Sequence, residues 1–105
     1  MGAGISFNPE LSDVDNDAYL SVNVSVTSTQ VEAKVGANRL SGREMVMIQN
    51  KGSKTLYYGP SGVTTTTGMP LEKDQYVALP IGDSVGVFLI CAGGDTATAI
   101  VQELA

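Results

Sequence analysis

The chain has 105 residues, with six basic and eleven acidic side chains and a formal net charge of −5. This length suits one small domain, and the acidic balance argues against a nucleic-acid partner, because binding to phosphates draws on clustered lysine and arginine. No segment approaches the run of about 18 apolar residues that a membrane span requires, so no membrane is expected as a partner.

The first element in chain order is an acidic stretch over residues 1–17. The first thirty residues contain four acidic and no basic side chains. The isolated apolar residues of this stretch cannot build a core of their own, so we predict an extended N-terminal arm before a β-domain over residues 18–105. The arm residues that we expect to contact a partner are Ile5, Phe7, Leu11, Val14, Asp13, Asp15 and Asp17.

Three of these residues also have the alternate spacing of calcium ligands in an EF-hand loop, namely Asp13, Asp15 and Asp17. The rest of that loop does not match, because Ala18 stands where the loop requires glycine and Val24 where it requires a bidentate glutamate. The sequence therefore favours a solvated loop, and we expect no metal and no cofactor.

The next two elements show strand periodicity. Leu20, Val22, Val24 and Val26 alternate strictly with polar residues, which predicts a half-buried strand over residues 20–28. The alternation resumes over residues 31–35 and stops where two glycines follow. A second strand, or a bent continuation of the first, is expected there.

Two hairpins are predicted in the rest of the chain. The first joins strands at residues 44–50 and 54–59 through a tight Lys-Gly-Ser turn. After a strand at 74–80, the second joins residues 84–92 to residues 97–104 through a Gly-Gly-Asp turn. About seven short strands without a helical stretch predict an all-β fold, an antiparallel β-sandwich or small barrel.

The apolar positions of these strands predict one core between two sheets. Cys91 is the one cysteine of the chain and lies in the apolar run VGVFLIC, which is typical of a buried, unreactive thiol. The residues that we expect in the core are Val22, Val24, Val26, Val46, Ile48, Val77, Leu79, Val87, Leu89, Ile100 and Leu104.

Residues suited to catalysis are scarce. The chain has no histidine, and the acidic pair Glu72 and Asp74 lies in a turn-like segment, so we expect no enzymatic activity. GPSGVTTTTG lacks the Gly-Lys-Ser/Thr ending of a phosphate-binding loop. Tyr57 and Tyr58 are adjacent and should point to opposite faces of a strand, which makes a poor stacking platform for a sugar.

Several short segments together carry a family resemblance. They are Asn38-Arg39, MIQN at 47–50, YYG at 57–59, GVTTTTGMPL at 62–71 and VALP at 77–80. In this order and spacing they resemble a small β-sandwich that recurs in virion proteins of tailed bacteriophages. The opening FNP is also similar to that of some phage structural proteins, whereas the paired tyrosines and the four successive threonines depart from the pattern.

The resemblance implies a non-enzymatic virion protein that is assembled in the cytoplasm of a host bacterium. We expect a capsid decoration protein, self-associating as a homo-oligomer, that bridges and stabilises major capsid subunits. A neck or tail adaptor is the alternative, and an adhesion module for host glycans is a third.

The threonine run and its neighbours are expected to connect two strands. Val63, with Met69 or Leu71, should cover the core. An extended threonine run presents uncharged hydroxyls on both faces, which suits a subunit contact. The predicted contact residues are Thr64, Thr65, Thr66 and Thr67.

Overall fold

A computed structural model describes residues 18–105, and the predicted arm lies outside the described residues. The described part is all-β and has no helix that could cross a membrane. Two antiparallel sheets face each other without closing into a barrel, which confirms the predicted β-sandwich. The strands are β1 (Tyr19–Val26), β2 (Val31–Glu32), β3 (Met45–Asn50), β4 (Leu56–Gly59), β5 (Met69–Leu71), β6 (Tyr76–Leu79), β7 (Phe88–Cys91) and β8 (Ala97–Leu104).

Each sheet contains four strands. Sheet A has the order β1-β8-β3-β6, and sheet B has the order β2-β7-β4-β5. The long strand β8 is central to sheet A, because it pairs with all eight residues of β1 on one side and with β3 on the other. The edges of sheet A are therefore β1 and β6, and those of sheet B are β2 and β5.

Both predicted hairpins are wrong. β3 lies in sheet A and β4 in sheet B, and β7 and β8 are likewise in different sheets. At the first crossing, the buried amide of Asn50 donates to the carbonyls of Lys54 and Leu71, both at 2.8 Å, and accepts from the Gly52 N–H at 2.9 Å. A buried amide is stable only when it is hydrogen-bonded, so these bonds hold the chain on its path from one sheet to the other.

The inner face of β8 also differs from the prediction. Ile100 and Leu104 lie on the outer face of sheet A, whereas the sequence placed them in the core. Glu103 faces inward and is fully buried against Arg43, and this pairing determines which face of the strand points to the core. The inward residues of β8 are Ala97, Ala99, Val101 and Glu103.

Most other core predictions are confirmed. Five of the predicted residues are buried, namely Val26, Val46, Ile48, Val87 and Leu89. Four more pack against the core and are half-buried, namely Val22, Val24, Val77 and Leu79. Of the residues around the threonine run, Val63 and Leu71 are buried, and Met69 is exposed.

Cys91 is buried in the core, as the sequence predicts. Burial first, and the negative charge of Asp95 second, raise the pKa of its thiol above the ordinary value of 9.0. The folded protein therefore favours the protonated thiol.

Because Ile48 faces the core and Ile100 faces outward, replacing each by alanine should lower the free energy of unfolding by different amounts. Ile48→Ala should lower the free energy of unfolding by about 2–5 kcal/mol, because it leaves a cavity in the core. Ile100→Ala on the outer face should cost clearly less. Chemical denaturation of the two variants measures both values, and an Ile100→Ala protein that loses as much stability as Ile48→Ala would contradict the register of β8.

The raised pKa of Cys91 predicts a loss of stability at alkaline pH. Below the ordinary thiol pKa of 9.0 the contribution of the protonated thiol is fully present, and it is lost as the pH rises through the higher pKa of the folded state. Urea denaturation at about pH 7 and about pH 10 should therefore show a larger loss in the wild-type protein than in Cys91→Ala. Equal losses would show that the thiol does not contribute.

Candidate interaction surfaces

A buried ion pair fixes the loops at one end of the sandwich. The side chains of Arg43 and Glu103 are fully buried, and Arg43 Nη1 lies 2.8 Å from Glu103 Oε2. Arg43 also donates from Nε to the Ile81 carbonyl at 3.2 Å and from Nη2 to the carbonyls of Gly82 and Val85, at 2.9 and 2.8 Å. The guanidinium group thus holds the loop between β6 and β7.

The carboxylate of Glu103 holds the other loop. Oε1 accepts a hydrogen bond from the Val35 N–H at 2.8 Å, and Oε2 accepts one from the Leu40 N–H at 3.2 Å. Both donors belong to the long connection between β2 and β3. Since both oxygens are bonded and the opposite charge is in contact, the buried carboxylate is well compensated.

Above these two loops lies a shallow polar groove of about 500 Å³, lined by Glu32, Lys34, Asn38, Arg39, Ser41 and Asp83. Arg39 donates to the Glu32 carboxylate and, at 3.3 Å, to the Asp83 carbonyl. Lys34 Nζ lies 3.8 Å from the same Glu32 carboxylate. The charges of the groove compensate one another, which suits a structural role better than the capture of a charged ligand.

The four strands of sheet A place no charged side chain on its outer face. Its centre is a shallow depression of about 330 Å³, lined mainly by Met47, Gln49, Tyr76, Ile100 and Gln102. Tyrosine and methionine are enriched in protein interfaces, and charged residues are depleted from their centres. From the strand register, the outer face consists of Tyr19, Ser21, Asn23, Ser25, Met45, Met47, Gln49, Tyr76, Ala78, Thr98, Ile100, Gln102 and Leu104.

Hydrogen bonds between side chains order part of this face. The Tyr19 hydroxyl donates to Gln102 Oε1 at 2.9 Å, and Gln102 Nε2 donates to Ser21 Oγ at 3.3 Å. Tyr76 is 73% exposed and Tyr19 is 64% exposed, so both rings are accessible to a partner. The face is therefore partly preorganised, and an aromatic ring stands at each side of it.

The four threonines form one turn, and the extended conformation that the sequence predicts is wrong. Thr64 Oγ1 accepts from the N–H groups of Thr66 and Thr67, both at 3.2 Å, and Thr67 Oγ1 accepts from the Thr64 N–H at 3.1 Å. The Gly68 N–H closes the turn on the Thr64 carbonyl at 2.8 Å. Two hydroxyls thus stabilise the turn itself, while the side chains of Thr65 and Thr66 are exposed.

The predicted contact residues of the arm are not placed by the structure. Ile5, Phe7, Leu11 and Val14 lie outside the described residues, as do the three aspartates that were weighed as calcium ligands. Among residues 18–105, no group of three or more side chains is arranged to hold a metal ion.

The chain was compared with protein-family models and with curated proteins. No protein-family model matches it, and no curated protein matches it significantly.

Sequence reasoning missed the outer face of sheet A. A signal was present, because the residues of β1, β3, β6 and β8 that alternate with the core positions are all uncharged. The signal was hidden by the assignment of Ile100 and Leu104 to the core. When Glu103 faces the core, Ile100 and Leu104 join the other uncharged residues on the outer face of sheet A.

The buried ion pair predicts a large effect for a small chemical change. Glu103→Gln keeps the size of the side chain but leaves the Arg43 charge buried without a counter-ion, so the free energy of unfolding should fall by about 3–5 kcal/mol. Lys51→Gln is the control, because Lys51 pairs with Asp74 at 3.7 Å on the surface and should cost about 0–1 kcal/mol. Similar values for the two variants in chemical denaturation would contradict the role of the buried pair.

Proposed function

We propose that this chain is a non-enzymatic structural protein of a tailed-phage virion. Its role is that of a capsid decoration protein that binds major capsid subunits and stabilises the shell. The observation that carries the proposal is the uncharged outer face of sheet A, which offers tyrosine, methionine, isoleucine and glutamine side chains on a rigid sheet. The resemblance of residues 38–104 to small virion β-sandwiches supplies the setting.

The distribution of charge supports a protein partner on this face. Within the four strands of sheet A no charged side chain lies on the outer face, and the exposed pair of Lys51 and Asp74 borders it just beyond the ends of β3 and β6. A centre without charge loses little solvation energy when a partner covers it. The threonine turn stays a predicted second contact, with Thr65 and Thr66 as its accessible members.

A neck or tail adaptor is the alternative role within the virion, since the same face would serve contacts in a ring. The two roles differ in copy number, which densitometry of purified virions measures. A decoration protein is present in hundreds of copies, whereas a ring contains about six to twelve. A glycan-binding module is less well supported, because the depression on this face is lined by one aromatic ring, that of Tyr76, while Tyr19 lies in β1 at the opposite edge of the sheet.

The proposal predicts that a charge on the outer face weakens capsid binding. Tyr76→Glu should weaken binding to capsids that lack this protein at least about tenfold, because a carboxylate would be buried in the contact. Val85→Glu is the matched control, since Val85 is 55% exposed and lies off the outer face. Co-sedimentation with capsids measures binding, and circular dichroism checks that both variants are folded. Undiminished binding of Tyr76→Glu would overturn the assignment of the face.

A further inference from the structure

The edge strand β1 has a row of backbone groups that bond to nothing within residues 18–105. Ala18 and Ala105 exchange two backbone hydrogen bonds, at 2.9 and 3.3 Å, which identifies them as a hydrogen-bonded pair of the β1–β8 ladder. Such pairs alternate along an antiparallel ladder, so every second residue of β1 directs its N–H and C=O away from β8. The outward groups belong to Tyr19, Ser21, Asn23 and Ser25.

The other sheet edges are better protected than the edge of β1. β2 has two residues, one of them Glu32, β5 has three and contains Pro70, and β6 has four and is followed by Pro80. β1 has eight residues, an unbroken register, no proline and no charge. An edge of this kind is a template for pairing with another strand.

The inner side of the same strand is incompletely covered. Leu20 faces the interior, yet it is 40% exposed, and Val22 and Val24 are half-buried, whereas Val26 is fully buried. A strand that completes this edge must therefore carry apolar side chains on its inner face. On its outer face it would meet the uncharged side chains of β1, where a charged residue would gain no counter-ion.

We propose that β1 of a second copy of this chain covers the edge and pairs antiparallel with β1 across a twofold axis at Val22. β1 itself has the side chains that the edge requires, because its inner residues are leucine and valine and its outer residues are tyrosine, serine and asparagine. It carries no charge that would repel an identical strand. The contact is closed, since each copy offers the same strand to the other.

The outward backbone groups determine the register of this pairing. They are placed symmetrically about Val22, so an axis there brings all four residues opposite outward groups of the second copy. Tyr19 then faces Ser25 of the second copy, Ser21 faces its Asn23, and each of the four pairs exchanges two hydrogen bonds. A slip by one residue would bring apolar side chains opposite polar ones, and a slip by two would lose one of the four pairs within β1.

The inner side chains also match in this register. Val22 faces Val22 of the second copy, and Leu20 faces its Val24. These are the positions without ladder bonds, at which side chains approach most closely across an antiparallel pair. The incompletely covered apolar residues of the two copies would therefore cover one another.

The pairing would join the two copies of sheet A into one sheet of eight strands, with the two β1 strands at its centre. The uncharged outer faces would then continue into each other and offer a partner about twice the area. The homo-oligomer expected from the sequence is thereby given a surface and a symmetry. The inference does not rest on the proposed function, because association is measured on the isolated protein, without capsids.

A substitution that removes one outward N–H tests the pairing in the full chain. Asn23→Pro loses this donor and keeps the bonds to β8, because proline is tolerated on an edge strand where its nitrogen faces away from the ladder. Asn23→Ala is the matched control, because it also removes the side chain but keeps the N–H. By the twofold symmetry, the proline variant loses two hydrogen bonds in each dimer.

Sedimentation measures the association of both variants and of the wild-type protein. A contact along one strand edge is smaller than the roughly 1,200 Å² of a stable interface, so the dimer should be concentration-dependent over about 5–500 µM. Asn23→Ala should dimerise like the wild-type protein and Asn23→Pro at least about tenfold more weakly. A wild-type protein that stays monomeric, or equal association of the two variants, would overturn the proposal. Circular dichroism checks that both are folded.

Disulfide formation between copies tests the register, and it does not depend on the folding of the proline variant. Val22→Cys in a Cys91→Ala background places the two Cα atoms about 4.5 Å apart on the axis, within reach of a disulfide. Val24→Cys in the same background is the matched control, because it replaces another half-buried valine of the inner face. Its two Cα atoms are offset by four residues, about 14 Å.

Under mild oxidation, Val22→Cys should form a covalent dimer at least about tenfold faster than Val24→Cys. A mixture of Leu20→Cys and Val24→Cys chains should form the mixed dimer, because the register places these two residues opposite each other. Equal or reversed rates for Val22→Cys and Val24→Cys would overturn the proposed pairing.

Discussion

The buried pair of Arg43 and Glu103 determines how the rest of the domain is arranged. Taking two charges out of water costs several kcal/mol for each ion, so the pair is tolerable only where the remaining hydrogen bonds are complete. In this protein Arg43 donates four hydrogen bonds, and both oxygens of Glu103 accept. A shift of β8 by one residue would turn Glu103 to the outer face and leave the guanidinium alone in the core, so the pair enforces one register.

The same pair also holds the two long loops, β2–β3 and β6–β7, which contain little secondary structure. The loop before β3 is held through its N–H groups by Glu103, and the loop before β7 is held through its carbonyls by Arg43. Above them, a Cβ at Gly86 would lie 2.6 Å from Arg39 Nη2 and 2.8 Å from Phe88 Cε1, so a larger residue there would displace these side chains. The polar groove is thus a consequence of the buried pair.

The elements of the fold were predictable from the sequence, but their partners were not. Alternation identified β1, β3, β6 and β8 nearly to their ends, because period two is a local property. Which strands pair depends on distant groups such as the Asn50 amide, which bonds across to Leu71, and this made both hairpin predictions wrong. Ile100 was assigned to the core because its side chain is large and apolar. The inner face of β8 instead carries two alanines and the charge-compensated Glu103. Because β8 was assigned the wrong inner face, the sequence did not predict the outer face of sheet A as a candidate interface.

The free edge of β1 and the outer face of sheet A pose different physical problems. An edge is completed by one extended segment, whereas a face is covered only by a broad surface. Strands of eight, eight, six and four residues, about 4.8 Å apart, give the outer face a projected area of about 400 Å². A stable interface buries about 800 Å² on each partner, so this face alone would bind weakly. The proposed decoration role therefore requires self-association, because several weak contacts act together only when the copies that make them are linked.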